Sequence, residues 1–145
     1  MITFDEALAK VATVAAPLGT ECVPLAQAHG RVLAEPVVAQ VSAPPADVSA
    51  MDGYAVRDAD LSVLPARLPV VGESFAGQGF DAALPAGACV RIFTGAPVPA
   101  GADRVIIQEV VTREGDGALF TEALGLARHI RRAGSDFREG DTLLD

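Results

Sequence analysis

At 145 residues the chain is long enough for one domain, or for two small ones sharing a core, and a chain of this size buries about 68–70% of its unfolded surface without disulfide or metal staples. Half of its residues are hydrophobic, which argues against disorder, and its net charge of −8 argues against nucleic acid as a partner, because such binding runs on Lys and Arg. Trp is absent, so Val, Leu, Ile and Ala must fill the core, while fourteen Gly and ten Pro predict many turns and few long helices.

The first predicted element is a helix. Thr3-Phe4-Asp5-Glu6 has the form of a capping box, with Thr3 as the cap and Glu6 three residues on. Phe4, Leu8, Val11 and Ala15 then recur at helical spacing, and Pro17 and Gly19 close the segment. The apolar stripe is expected to face the core, with a dimer contact as the alternative. Glu21-Cys22-Val23 reads as a short strand. Pro24 opens a second, shorter helix from Leu25 to His29, with Gly30 as its stop. Residues 31–34 and 37–41 read as extended segments, and Pro44-Pro45 marks a boundary or hinge.

Downstream the pattern turns to strands. Tyr54-Ala55-Val56 begins one, with Tyr54 and Val56 on one face. Residues 69–75 and 88–92 follow, separated by turns at Gly77-Gln78-Gly79 and Pro85-Ala86-Gly87. The run 105–111 is the strongest strand signal, apolar enough to be buried on both sides. Glu114-Gly115-Asp116-Gly117 is a hairpin turn into Leu119-Phe120-Thr121, and the charged tail from Arg128 holds two more Gly turns. The fold class is therefore α+β and β-rich. Cys22 and Cys89 stand far apart and read as two buried free thiols in a reducing compartment, with a single disulfide as the alternative. No uncharged run approaches the ~18 residues of a membrane span, and the acidic start is unlike a signal peptide. A soluble cytoplasmic protein without a membrane partner is expected.

Two glycine-bearing stretches carry the chemistry. In Ser49-Ala50-Met51-Asp52-Gly53-Tyr54-Ala55-Val56-Arg57, Asp52 sits on a sharp turn at the start of a strand, where a carboxylate can meet a metal ion or ligand; the bland alternative is an ordinary Asp-Gly hairpin turn. In Arg91-Ile92-Phe93-Thr94-Gly95-Ala96-Pro97-Val98-Pro99-Ala100-Gly101-Ala102-Asp103, the Thr94 hydroxyl and the backbone amides can cradle an oxyanion; the bland alternative is a proline-stiffened surface turn. The Gly-Lys-Ser/Thr ending of a P-loop is missing. Gln108-Glu109 puts an acid at a strand end. Arg128, His129, Arg131 and Arg132 form a basic cluster, either an anion site or an ion-paired face.

Together with Ile130-Arg131-Arg132-Ala133-Gly134-Ser135-Asp136, these stretches closely resemble the MoeA/gephyrin E-domain family, the molybdopterin molybdenumtransferases. The similarity runs over essentially the whole chain, including Phe4-Asp5-Glu6-Ala7-Leu8 and Gly30-Arg31-Val32-Leu33-Ala34. The resemblance implies an enzyme acting on adenylylated molybdopterin and molybdate, dependent on a divalent metal taken to be Mg²⁺, and supplied by a molybdopterin adenylyltransferase as upstream partner. It implies that Asp52 and Thr94 are catalytic, with Asp52 also holding the metal. Ser49, Met51, Gly53, Gly95, Glu109, Arg131 and Asp136 would bind substrate, and Gly134 belongs to the last motif.

The resemblance also implies a homodimer whose active site lies between an inserted domain of one subunit and a large α/β domain of the other. Residues 1–43 and 128–145 would form a linker domain, with 44–127 inserted as a β-rich domain. One departure is local: Ala46-Asp47-Val48 stands where many members carry Phe-Asp-Asn. The other is length, since members continue into the α/β domain and a small C-terminal β domain. The chain by itself is expected to hold half a site and to be inactive. Two rival readings remain: a non-catalytic dimerisation or binding scaffold, and a small metal-dependent phosphoester hydrolase using Asp52 and Glu109.

Overall fold

The computed structural model describes residues 2–16 and 18–145. The chain folds as two compact units, Met1–Pro36 with Asp145, and Val37–Leu144.

In the first unit, helix α1 spans Phe4–Val14, and both halves of the capping box are made. The Glu6 N–H donates to Thr3 Oγ1 at 3.2 Å, and the Thr3 N–H donates to Glu6 Oε2 at 2.8 Å. Pro17, expected to help end the helix, lies outside the described residues. The apolar stripe is not buried as expected: Phe4 is 80% exposed, Val11 59%, and no residue of α1 is buried. The physical reason is a shortage of elements. Besides α1, the described residues of the unit hold one 3-10 turn, Leu25–Gln27, in place of the expected second helix. The described buried apolar residues all lie at or beyond Ala39. Glu21-Cys22-Val23 forms no strand, because no partner strand stands beside it, and residues 31–34 likewise join no sheet. Cys22 is exposed, contrary to the expected pair of buried thiols, whereas Cys89 is buried; both are free.

The second unit is built on a six-stranded sheet. The strands are β1 (Val37–Val38), β2 (Val48–Ser49), β3 (Gly53–Val56), β4 (Ala66–Ser74), β5 (Cys89–Ile92), β6 (Arg104–Ile107), β7 (Val111–Glu114), β8 (Gly117–Phe120), β9 (Ile130–Arg131) and β10 (Thr142–Leu144). The large sheet has the order β6-β3-β5-β4-β8-β7, with β4 and β5 parallel and the other neighbours antiparallel. Strand pleating sends alternate residues to opposite faces. Tyr54 and Val56 of β3 join Leu68, Cys89, Ala118 and Phe120 in one cluster, while Ala55 joins Val90, Ile92 and Val105 in another. The core thus lies on both sides of the sheet, with β3 and β5 at its centre.

The run expected as one strand over residues 105–111 is broken. It leaves the ladder after Ile107, makes a 3-10 turn over Gln108–Val110, and re-enters as β7. The Gln108 N–H donates to Asp52 O at 3.0 Å, so the turn begins where the sheet's own edge ends. The β7–β8 hairpin closes through Gly115-Asp116 as the turn chemistry predicted.

Two short ladders return the tail to the segment preceding β3. β1 pairs with β10, β2 pairs with β9, and Ala43 bridges Phe137. The Gly134 N–H donates to Pro44 O and the Asp136 N–H to Ala43 O, each at 2.9 Å.

Candidate functional site at the end of strand β3

Register brings the two motif residues together. β3 runs antiparallel to both of its neighbours, with Gly53 opposite Ile92 of β5 and Ile107 of β6. The residue that enters β3 therefore meets the residues that leave β5 and β6. Asp52 is the first of these; Phe93-Thr94 and Gln108 are the others. The Thr94 N–H donates to Asp52 Oδ1 at 2.8 Å, and the Thr94 hydroxyl donates to the same oxygen at 2.7 Å.

Glycine is required at the strand entry by close approach. A Cβ on Gly53 would lie 2.0 Å from the Ile106 carbonyl oxygen, so any side chain would push β6 away. Gly95 has φ +79°, a left-handed conformation that lets the chain reverse directly after Thr94. Its N–H donates to Ser49 O at 2.8 Å, and the Ala96 N–H to Phe93 O at 2.9 Å. All three amides of the Thr94-Gly95-Ala96 turn are thus spent within the protein. The expected oxyanion cradle takes a different form: the anion it holds is the Asp52 carboxylate.

These bonds hold the Asp52 carboxyl below the usual carboxylate range. The Thr94 N–H is the chief cause, then the Thr94 hydroxyl, with the charge of Arg91 adding to them. Ser49 is 1% exposed, and its hydroxyl donates to Met51 O at 2.6 Å, so this side chain builds the turn. Met51 is 40% exposed beside it. Glu109 is exposed and accepts from Gln108 Nε2 at 3.4 Å.

Arg131 and Asp136 form a second pair. Arg131 Nη2 donates to both Asp136 oxygens, at 2.5 and 2.6 Å, and Arg131 stands opposite Val48 on β9. Among the described residues, no hydrogen bond or ion pair joins this pair to Asp52 or Thr94. The basic cluster is an ion-paired face: Arg128 meets Asp58, Arg131 meets Asp136, and Arg132 meets Asp47. Asp47, in the segment that departs from the family pattern, also accepts from the Ala133 N–H at 2.8 Å and so still pins the tail.

A magnesium ion fits the Asp52 site only when shared with a ligand. Asp52 Oδ2 accepts no hydrogen bond among the described residues, and no group of three His, Cys, Asp or Glu there stands ready to enclose an ion. Mg²⁺ is commonly held by one or two carboxylates, with water and substrate phosphates filling the rest. One free carboxylate oxygen meets that requirement.

Arg91 was missed by the reading of the sequence. It lies inside β5, donates from Nη1 to Gly53 O at 3.0 Å and from Nη2 to Gln108 Oε1 at 2.5 Å, and stacks over the rings of Tyr54 and Phe93. An Arg interrupting the apolar run Ala88-Cys89-Val90…Ile92 was the available signal. Phe93 in turn stacks on Phe75, with ring centroids 4.8 Å apart.

Residues 2–145 match the family described as the MoeA N-terminal region, domain I and II. The chain belongs to this family. It is similar to the molybdopterin molybdenumtransferase of Haemophilus influenzae, at 42% identity over 147 residues, covering 100% of this chain and 36% of that protein. It is also similar to the molybdopterin molybdenumtransferase of Synechococcus elongatus, at 39% identity, covering 94% of this chain and 35% of that protein. Among solved structures, it is similar to a molybdopterin biosynthesis MoeA protein from Pyrococcus horikoshii, with a TM-score of 0.82 at 32% identity, covering 99% of this chain and 38% of that one. The chain therefore spans about a third of the length of the curated relatives it matches. The β-rich fold with one N-terminal helix expected from the resemblance is the fold of this MoeA N-terminal region.

Proposed function

We propose that this chain is the N-terminal part of a molybdopterin molybdenumtransferase and supplies half of an inter-subunit site that acts on adenylylated molybdopterin and molybdate. The observation that carries the reading is the Asp52–Thr94 pair. Two residues 42 positions apart share a carboxylate oxygen at the N-terminal end of β3, and the second oxygen is left open. A carboxylate held ionised beside a phosphoryl group can retain Mg²⁺, and that ion, when bound, polarises the phosphoryl group toward water. This chain's own part is narrower. Thr94 fixes the direction of the Asp52 carboxylate and keeps it unprotonated, so its free oxygen is available to the ion or substrate.

The remainder of the reading follows the family. The protein acts as a homodimer in the cytoplasm, downstream of a molybdopterin adenylyltransferase, and the other half of its site comes from an α/β domain. Ser49, Met51, Gly53 and Gly95 shape the Asp52 turn, while Glu109, Arg131 and Asp136 extend the substrate surface. Residues 1–43 and 128–145 form the linker domain and 44–127 the inserted one. The ladders joining β2 to β9 and Ala43 to Phe137 support the return of the tail to the earlier segment.

The test is molybdenum insertion by an enzyme of full family length that carries these residues as its N-terminal part. Asp52→Ala and Thr94→Ala should each lower turnover by on the order of 10²-fold or more, with the melting temperature little changed. Retained turnover in both variants overturns the proposal. One observation favours a second reading, a non-catalytic scaffold: the amides of the Thr94 turn are all spent internally. In that case both variants lose stability and keep activity. Nothing in the geometry favours the phosphoester hydrolase, because no group of three His, Cys, Asp or Glu gathers around a metal position among the described residues.

A further inference from the structure

We propose that Arg91 is the positioning residue for Asp52: one guanidinium holds all three chain segments that fix the aspartate. The role rests on the reading of Asp52 as the acting carboxylate.

Three segments determine where Asp52 points, and Arg91 touches each. The first is the strand entry itself, since Gly53 directly follows Asp52; Arg91 Nη1 donates to the Gly53 carbonyl at 3.0 Å. The second is the end of β6, where the Gln108 N–H donates to the Asp52 carbonyl at 3.0 Å; Arg91 Nη2 donates to the Gln108 side chain at 2.5 Å. The third is the end of β5, where Thr94 donates twice to the Asp52 carboxylate; the Arg91 guanidinium lies 4.6 Å from the ring centroid of the adjoining Phe93.

The guanidinium is itself oriented from below. Its Cζ lies 5.2 Å from the ring centroid of Tyr54, which is 6% exposed and fixed edge-on against Phe120. A buried aromatic therefore lies under the fork, and the fork ties the strand ends together. Only a planar group with donors on two arms makes this set of contacts. A Lys ammonium carries the same charge without the plane, so it cannot stack on two rings while reaching both acceptors.

The contrasting role is purely structural: an Arg that helps β3 and β5 stay paired and does nothing particular for Asp52. Hydrogen exchange on the 145-residue chain separates the two. In Arg91→Met, the Thr94 and Gln108 amides, whose bonds end on Asp52, should exchange about tenfold faster while the amides of β4 and β8 keep their wild-type rates. Arg91→Lys should loosen the same two amides.

Unchanged exchange at Thr94 and Gln108 in both variants overturns the proposal. So does a rise in step with β4 and β8 in both, which makes Arg91 a general sheet residue. Failure of the catalytic reading is a different result: normal turnover in Asp52→Ala, with the exchange pattern of the Arg91 variants as expected.

Discussion

Strand β3 carries an aspartate beyond each end, and the two are treated oppositely. Asp58, past the C-terminal end, faces Arg104, whose side chain is only 7% exposed. Arg104 Nε donates to Asp58 Oδ1 at 2.5 Å and Nη2 to Oδ2 at 3.2 Å, while Nη1 donates to the carbonyls of Gly125 and Ala127. Arg128 adds a second ion pair to Asp58 Oδ2 at 3.0 Å. Both Asp58 oxygens are paired with guanidinium groups, so neither is left open. Asp52, before the N-terminal end, is fixed through one oxygen by uncharged donors and keeps the other free. A depressed carboxyl is therefore a poor guide by itself, because Asp52 and Asp58 both show it. What separates them is whether the donors leave an oxygen unspent.

The sharpest way to break this contrast is to remove each aspartate in turn. Asp58→Ala leaves a buried guanidinium without its counter-ion and should cost about 2–4 kcal/mol, a fall in melting temperature on the order of 10 °C. Asp52→Ala should shift the melt little. Equal falls in the two melts would mean that both carboxylates are structural. Gly53→Ala, at the open end, should cost roughly 2 kcal/mol or more in a urea titration, since the new methyl meets the Ile106 carbonyl. A neutral outcome there would show that β6 yields easily, and that the Asp52 turn is looser than its bonds suggest.

Acid should discriminate next. A carboxyl whose folded pKa lies below its unfolded value lends stability above the unfolded value of 3.8 and loses it as pH falls through the folded one. Stability should therefore drop below about pH 4. Asp58→Asn should flatten that drop more than Asp52→Asn, as measured by urea unfolding at about pH 3 and about pH 6. At the alkaline end the sign reverses. Burial pushes the Cys89 thiol from 9.0 up to about 12, so the unfolded chain loses its proton first and stability falls between those two values. Cys89→Ala should remove that alkaline loss. The smallest effect is chemical: a thiol reagent should modify exposed Cys22 in the native protein and reach Cys89 only on unfolding.

Local chemistry was legible in the sequence, and partnership was not. The Thr3–Glu6 cap, the Gly115-Asp116 hairpin and the split of Tyr54 and Val56 from Ala55 each depend on residues within a few positions of one another, and all are present. Glu21-Cys22-Val23 has strand composition but no neighbouring strand, a fact no local pattern holds. The stripe of α1 was visible, but what it faces was not. The stretch 105–111 reads as one strand because it is so rich in apolar side chains, and the break at Gln108 is imposed by a carbonyl 56 positions earlier. The same limit applies at the site. Asp52 and Thr94 were identifiable as residues, whereas their shared oxygen and the reach of Arg91 come from a three-strand register.

The ladders between β1 and β10 and between β2 and β9 carry a consequence for biosynthesis. Ser49 exchanges backbone bonds with Gly95 and Ala96, and lies opposite Ile130. During translation, the segment that presents Asp52 waits for partners made some fifty and then eighty residues later. A nascent chain that has emerged only as far as residue 127 has the six sheet strands in hand but not the seam that locks Ser49. The last residues to leave the ribosome in this stretch are the ones that complete the footing of the first motif.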